Sequence, residues 1–377
     1  MKITVVCDVL GKENNGTTIA GMNLIRSLKS KYHEVRVICP DEDKKGQPGY
    51  YVVDMLNLGH LNGYVRKNDV VLAKPDKEMI KELVITSDLV HIMMPFSLSH
   101  AAAKLANENH IPLTGGFHAQ AENITSHIFM KNLPFANHIA YRVMYQYVYK
   151  YCDAIHYPTE FIRDLFEQEI KKKTNSYVIS NGVGDRFKNN GAQKPDELRN
   201  KFVILFTGRY SKEKAHRVLI DAVSQSKHEK DIQLIFAGDG PLKDKLKKQA
   251  RKLTNFPIFK FFPHNQMLNV LSFSDLYVHP ADIEIEAIAC LEAISCSLVP
   301  VISDSKRSAT KKFALDERNL FKSNDPKDLA EKIDFFIENP DILADYKERY
   351  KGIADAYSQR ACMDKMEEMM IKTSQKV

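Results

Sequence analysis

The chain has 377 residues, 44% hydrophobic and 27% charged, with a formal net charge of +6. This is the composition of an ordered globular protein, and the length exceeds what one hydrophobic core organises, so two domains are expected. A charge of +6 over this length does not call for nucleic acid as a partner.

The chain opens with "KITVVCDV", a short apolar run expected to form a buried strand. A turn-rich "GKENNGTT" follows, then "IAGMNLIRSLKSKY" with helical spacing, then "HEVRVICP" as a second strand. Strand, helix and strand in this order predict a parallel sheet. Further strands are expected at "DLVHIMM", "IPLTGGFH", "CDAIHYP" and "SYVIS". The polar stretch from 181 to 200 reads as a linker. Beyond it the pattern restarts with "KFVILFTG", "IQLIFAG", "FKFF", "DLYVHP" and "LVPVIS", and the tail reads as successive amphipathic helices. The fold class predicted is α/β, with two doubly wound domains over 1–185 and 186–355. No run approaches the roughly 20 apolar residues that span a bilayer. "MKITVVCDVLG" also lacks the basic start and long apolar centre of a secretory signal, so a cytoplasmic protein is expected. The scattered Cys7, Cys39, Cys152, Cys290, Cys296 and Cys362 indicate neither a disulfide framework nor a zinc site. Nothing in the sequence speaks to oligomeric state.

In open parallel sheets ligands sit beyond the carboxyl ends of the strands. The first such segment holds Asn14, Asn15, Gly16, Thr17 and Thr18, where a glycine lets backbone N–H groups approach a phosphate at a helix start; taken alone, an ordinary loop and cap explains it as well. Asp41, Glu42 and Asp43 read as a solvated turn. His118 follows a strand and the glycines at 115 and 116, which suit close packing near a pocket, although a lone histidine is usually structural. From Asn123 to Cys152 there is no acidic residue, and Tyr141, Met144, Tyr145 and Val148 share one helical face with Arg142 beside it. Such a face suits either an anionic membrane surface or packing against the sheet. Arg209 and Lys214 lie just past a strand, where a guanidinium and an ammonium could neutralise a diphosphate. Asp282, Glu284, Glu286 and Glu292 sit inside an apolar segment, where carboxylates need partners.

Taken in order, the glycine loop at 15 to 18, "DLVHIMMP", "FHAQ", "YPTEFI", "ISNGV", "GRYSKEK", "AGDGP" and the pair Glu284 and Glu292 resemble the family 4 glycosyltransferases over nearly the whole chain. That resemblance implies the GT-B fold of two Rossmann-like domains facing across a cleft, an N-terminal acceptor domain, a C-terminal nucleotide-sugar domain, and a final helix over 356–377 packing back on the first domain. It implies that Gly16 approaches the donor diphosphate, that Arg209 and Lys214 neutralise it, and that His118 contacts the transferred sugar. Glu284 would bind sugar hydroxyls and Glu292 the ribose. A helix over 286 to 297 would separate the two carboxylates by roughly 12 Å, the reach from sugar to ribose. The reaction implied is retaining transfer of a hexose, with UDP-glucose or UDP-galactose as the default donor and no metal or cofactor required. Many relatives carry Gly or Ser, then Phe-Gly, after the first glutamate. Ile285, Glu286 and Ala287 stand there instead, placing an added carboxylate beside the donor. The variant is similar to members that glycosylate diacylglycerol, which makes a lipid acceptor and peripheral contact with the inner face of the membrane, through Tyr141, Arg142 and Tyr145, the expectation. A soluble glycan or polysaccharide precursor is the alternative acceptor. A GT-B epimerase or a non-catalytic sugar-nucleotide or lipid-binding protein are the readings of other classes.

Overall fold

The structure is a computed structural model that describes residues 1–10, 16–57, 72–122 and 134–376. The chain folds as two units, Met1–Asn181 with Arg360–Val377, and Gly182–Gln359.

The first unit is built on a 7-stranded parallel sheet of order β3-β2-β1-β4-β5-β6-β7. Its strands are β1 (Lys2–Val6), β2 (Glu34–Cys39), β3 (Tyr50–Val52), β4 (Leu89–Ile92), β5 (Leu113–Gly116), β6 (Ala154–Tyr157) and β7 (Ser176–Val178). Strands covered on both faces lose the alternation of polar and apolar residues, which is why "KITVV" reads as a nearly continuous run; in "VRVIC" the buried Arg36 interrupts the run and donates to the Leu83 carbonyl and the Ser87 hydroxyl, each at 2.8 Å. Helices α1 (Gly16–Ser30), α2 (Lys77–Ile85), α3 (Ser97–Glu108), α4 (Pro134–Tyr147) and α5 (Glu160–Ile170) accompany the sheet. Leu24, Ile25 and Leu28 of α1 pack with Ile3 and Val5 of β1. Ile80, Leu83, Ala102 and Ala103 of α2 and α3 pack with Val6, Val90 and Ile92 in a separate cluster. The cap residue of α3, Phe96, offers no side-chain bond. Asp8, just past β1, serves instead by accepting from the amide of Leu98 at 2.8 Å.

The second unit repeats the plan with a 6-stranded sheet of order β10-β9-β8-β11-β12-β13. The strands are β8 (Phe202–Thr207), β9 (Ile232–Ala237), β10 (Ile258–Lys260), β11 (Leu276–His279), β12 (Pro300–Ser303) and β13 (Leu320–Phe321). Its helices are α6 (His216–Val223), α7 (Lys243–Ala250), α8 (His264–Phe273), α9 (Ile288–Ser295), α10 (Pro326–Glu338) and α11 (Pro340–Ala354). The edge strands β3 and β13 have no counterpart in the sequence expectations, because at three and two residues they are too short for an apolar run to mark them as strands. The stretch 181–200 is tied down rather than loose. Val183 donates to the Tyr357 carbonyl at 2.8 Å and accepts from Gln359 at 2.9 Å, and Lys194 pairs with Asp275 at 2.5 Å. The last helix, α12 (Gln359–Ser374), belongs to the first unit. Its Met363, Met366, Met369 and Met370 enter the same core cluster as Ile3 and Leu24.

Candidate functional site

Both sheets have the order in which the direction of winding reverses beside the first strand, between β1 and β4 and between β8 and β11. Ligand crevices form at such switch points. In the second unit the loops after β8 and β11 therefore lie side by side, and they carry Arg209 and Lys214 on one and Glu284, Glu286 and Ala287 on the other.

The loop after β8 is held by the turn after β9. Gly208 donates to Ala237 at 3.0 Å, Tyr210 donates to Asp239 at 2.9 Å, and Leu242 donates to Tyr210 at 3.0 Å. A Cβ on Gly238 would stand 2.1 Å from the Gly208 carbonyl oxygen, so this approach requires glycine there. The segments "GRYSKEK" and "AGDGP" are thus two halves of one backbone clasp. The loop after β11 is fixed likewise: Asp282 donates its amide to Glu213 at 2.8 Å, and Ala309 donates to Glu284 at 2.9 Å.

Each carboxylate of the loop after β11 has a different environment. Asp282 is answered by Arg307, and the Ser305 hydroxyl donates to it at 3.0 Å, so its role is to pin the loop. Glu284 forms an ion pair with Lys214, and the same oxygen lies 3.4 Å from His279 Nε2. Burial pushes the Glu284 carboxyl up, but Lys214 and then His279 outweigh it and hold it at about 2. Glu286 is buried, 3% exposed. Ala287 is left-handed, φ 61 and ψ 59, and caps α9 without a side-chain bond; its carbonyl accepts from the amides of Cys290 at 2.9 Å and Leu291 at 3.2 Å. Helix α9 begins at Ile288, not at 286. Only the second half of the interval from Glu284 to Glu292 is helical, and the helical-rise separation expected from sequence does not apply. Burial pushes the Glu292 carboxyl up to about 7, with Arg186 opposing.

In the first unit Gly16 is the first residue of α1, past β1; Asn14 and Asn15 lie outside the described residues. A Cβ at Gly16 would meet nothing within 4 Å, so protein packing does not demand glycine there. His118 stands past β5, edge-on to His156 at 5.4 Å between ring centroids. Burial, then His156 and His91, hold its pKa well below the ordinary histidine value, so the ring is neutral. A Cβ on Gly116 would fall 2.7 Å from His118 Nε2, and one on Gly115 would fall 2.9 Å from Cys152 Sγ. The glycines are what let the imidazole and the segment after α4 close onto the strand end.

Tyr141, expected at a membrane-facing surface, is fully buried and donates its hydroxyl to Glu122 at 2.8 Å. Met144 and Val148 are buried with it, and Tyr145 packs on Phe166 at 6.4 Å. That face of α4 packs inward because Phe117, Tyr149, Tyr157 and Phe166 form an aromatic cluster beneath it. The exposed side carries Phe135 (74% exposed), Ile139 (44%), Val143 (56%) and Tyr147 (38%), four residues apart in succession. Arg142 lies in that stripe, exposed, and exposed Lys172 reaches the Tyr145 ring at 5.6 Å. Phe129 and Lys131 of the acid-free stretch lie outside the described residues. His279 escaped the sequence reading, although "HP" at a strand end opposite a conspicuous glutamate was a signal for it. The exposed stripe escaped as well, its i, i+4 spacing hidden because both sides of α4 are apolar.

Residues 188–352 match the family described as Glycosyl transferases group 1, and residues 15–186 match Glycosyltransferase Family 4. The alpha-monoglucosyldiacylglycerol synthase of Acholeplasma laidlawii is 23% identical over 353 residues, 87% of this chain and 86% of the relative. The crystal structure of Anabaena HepE in complex with UDP superposes with a TM-score of 0.74 at 16% identity, covering 99% of this chain and 100% of that one. The catalytic domain of cholesterol-alpha-glucosyltransferase from Helicobacter pylori is 48% identical, covering 42% of this chain and 99% of that one, with a TM-score of 0.41.

Proposed function

Because the chain belongs to the family 4 glycosyltransferases and shares the GT-B fold, we propose that it moves a hexose, with retention at the anomeric carbon, from a nucleotide sugar to a hydroxyl of a membrane lipid such as diacylglycerol. The observation that carries the donor half is the Lys214 and Glu284 ion pair at the switch point of the second unit. A cation for a leaving diphosphate and a carboxylate for sugar hydroxyls stand together there. UDP-glucose or UDP-galactose is the default donor, supported by the UDP and UDP-glucose complexes of HepE.

Arg209 and Lys214 would neutralise charge on the leaving diphosphate, the kind of preorganised stabilisation that dominates such reactions. Glu284 would orient the sugar, Glu292 would accept from the two ribose hydroxyls, and the amides following Gly16 and Ala287 would approach the phosphates and the sugar. His118, neutral, would donate or accept at a sugar hydroxyl. Retention without a carboxylate nucleophile leaves the departing phosphate to take the acceptor proton on the same face, so the protein's part is positioning.

The acceptor half rests on the named activity of the Acholeplasma relative and on the exposed apolar stripe of α4 with its basic flank. No helix among the described residues is long and apolar enough to cross a membrane; an interfacial helix with a cationic border would hold the protein at an anionic surface. The test is incubation with UDP-, GDP- and ADP-sugars and vesicles containing diacylglycerol, a sterol or a polyprenol, with products identified by mass spectrometry and anomeric NMR. An α-linked glycolipid is expected. Transfer only to a soluble glycan would overturn the lipid half, and an epimerised sugar or no turnover with any donor would overturn the reaction.

A further inference from the structure

His279 ends β11 and is fully enclosed, 1% exposed. The charged and titratable groups that face it come from every side. Tyr277 of its own strand places its hydroxyl 3.4 Å from Nδ1, and Glu284 of the following loop lies 3.4 Å from Nε2. Lys214 approaches from the loop after β8, His216 from α6, and Cys290 of α9 lies beyond Tyr277 and Glu284. The Phe206 ring of β8 closes the remaining edge at 5.6 Å, and Ile302 is its apolar partner on β12.

One carboxylate oxygen, Oε1 of Glu284, is therefore shared by Lys214 Nζ and His279 Nε2. If Lys214 serves a donor diphosphate, it must give up part of its hold on that oxygen, and a buried carboxylate left without a counter-charge is costly. We propose that His279 is the positioning residue for Glu284: as Lys214 turns to the diphosphate, His279 takes a proton from solvent and its imidazolium becomes the counter-ion of the sugar-binding carboxylate. Charge balances through the step. In the free protein Lys214 is cationic, Glu284 anionic and His279 neutral, with Nε2 3.4 Å from the Glu284 oxygen but closing no hydrogen bond, and Nδ1 3.4 Å from the Tyr277 hydroxyl. With donor bound, the ammonium answers the phosphates and the imidazolium answers Glu284. Burial holds the His279 pKa down, and of its charged neighbours Glu284 raises it while Lys214 lowers it, so moving Lys214 away favours protonation.

The inference rests on the nucleotide-sugar reading, and one experiment separates the two. UDP binding is measured by calorimetry near pH 7 in buffers of different ionisation enthalpy, for the wild type and His279→Gln. The wild type is expected to take up several tenths of a proton more per UDP than His279→Gln, whose amide can still present an N–H toward Glu284 but cannot titrate. Proton release at Glu292 is common to both proteins and cancels. Equal proton counts with UDP bound overturn the role of His279 alone; no heat with UDP, GDP or ADP overturns the donor reading and this inference with it. In the unmutated protein, nitrogen-15 spectra of the histidines provide a second measurement that depends on no variant. One buried ring is expected to pass from the neutral to the imidazolium pattern on adding UDP, and no change in any ring overturns the proposal.

Discussion

Lys214 and Glu284, 70 residues apart in the chain, meet as an ion pair because β8 and β11, which deliver them, are neighbours in the sheet. Removing either partner strands the other in a largely enclosed site. Lys214→Ala and Glu284→Ala are each expected to lower kcat/KM for the nucleotide sugar on the order of 10²- to 10³-fold, the second mainly through kcat. Because Lys214 answers the diphosphate and Glu284 the sugar once donor is bound, the double variant is expected to lose close to the product of the two single losses. A double variant no worse than the worse single one would show that the two act as one unit in the transition state.

Glu292 predicts a pH dependence of nucleotide affinity. Two ribose hydroxyls donate more strongly to the ionised carboxylate than to the protonated one, and burial pushes this group up to about 7. Binding therefore releases a proton, and on this account affinity for UDP falls as pH is lowered through about 7 toward 5.5. Glu292→Gln should bind more weakly at pH 8 and lose the acid-side fall; Glu292→Ala should weaken binding at every pH. Unchanged affinity in the alanine variant, read by calorimetry, would remove the ribose assignment.

Gly116 offers a test that leaves packing nearly untouched. The atom that a new Cβ would strike, at 2.7 Å, is the far end of the His118 side chain. Gly116→Ala should therefore shift the imidazole while the melting temperature stays within a few degrees. Turnover is expected to fall about tenfold or more, because misplacing a positioned group by about 1 Å is enough to lose 10²-fold. A variant with full activity would show that His118 does not need its present seat.

The stripe on α4 separates surface docking from chemistry. Ile139→Ser combined with Val143→Ser removes apolar area from the exposed side of α4, where these residues are 44% and 56% exposed. Sedimentation with vesicles rich in phosphatidylglycerol should fall several-fold, and activity on a short-chain, dispersed acceptor should hold. Arg142→Glu should weaken binding to the same vesicles, and salt should weaken the wild type's binding too, as expected for a charge contribution of about 1 kcal/mol per basic residue. Vesicle binding unchanged in both variants would assign the stripe to another partner.

The sequence was most readable where side chains are buried on both faces. The runs at β1 and β8 announced themselves because neither face needs polar residues, and the second cycle of strands exposed the repeat. β3 and β13 were not visible, being only three and two residues long at sheet edges. On α4, periodicity marked the face bearing Tyr141, but with apolar residues on both sides it could not say which side met the sheet; the aromatic cluster around Phe117 and Phe166 decides that. The start of α9 was misplaced by two residues because Ala287, with φ 61, gives no compositional sign of a left-handed turn. The His279 contact depends on which strands lie adjacent across a switch point, a relationship fixed only by the whole sheet.

Because α12 closes the core of the first unit with Met363, Met366, Met369 and Met370, that unit is assembled from two stretches of chain separated by the whole second unit. During synthesis its first 181 residues emerge early, yet the helix that covers Ile3 and Leu24 leaves the ribosome only after the whole second unit. At about 5 to 20 residues per second the delay is on the order of 10 to 40 s. The second unit, continuous in the chain, can finish folding first, while the nascent first unit carries an uncovered apolar face that a chaperone could shield in the interval.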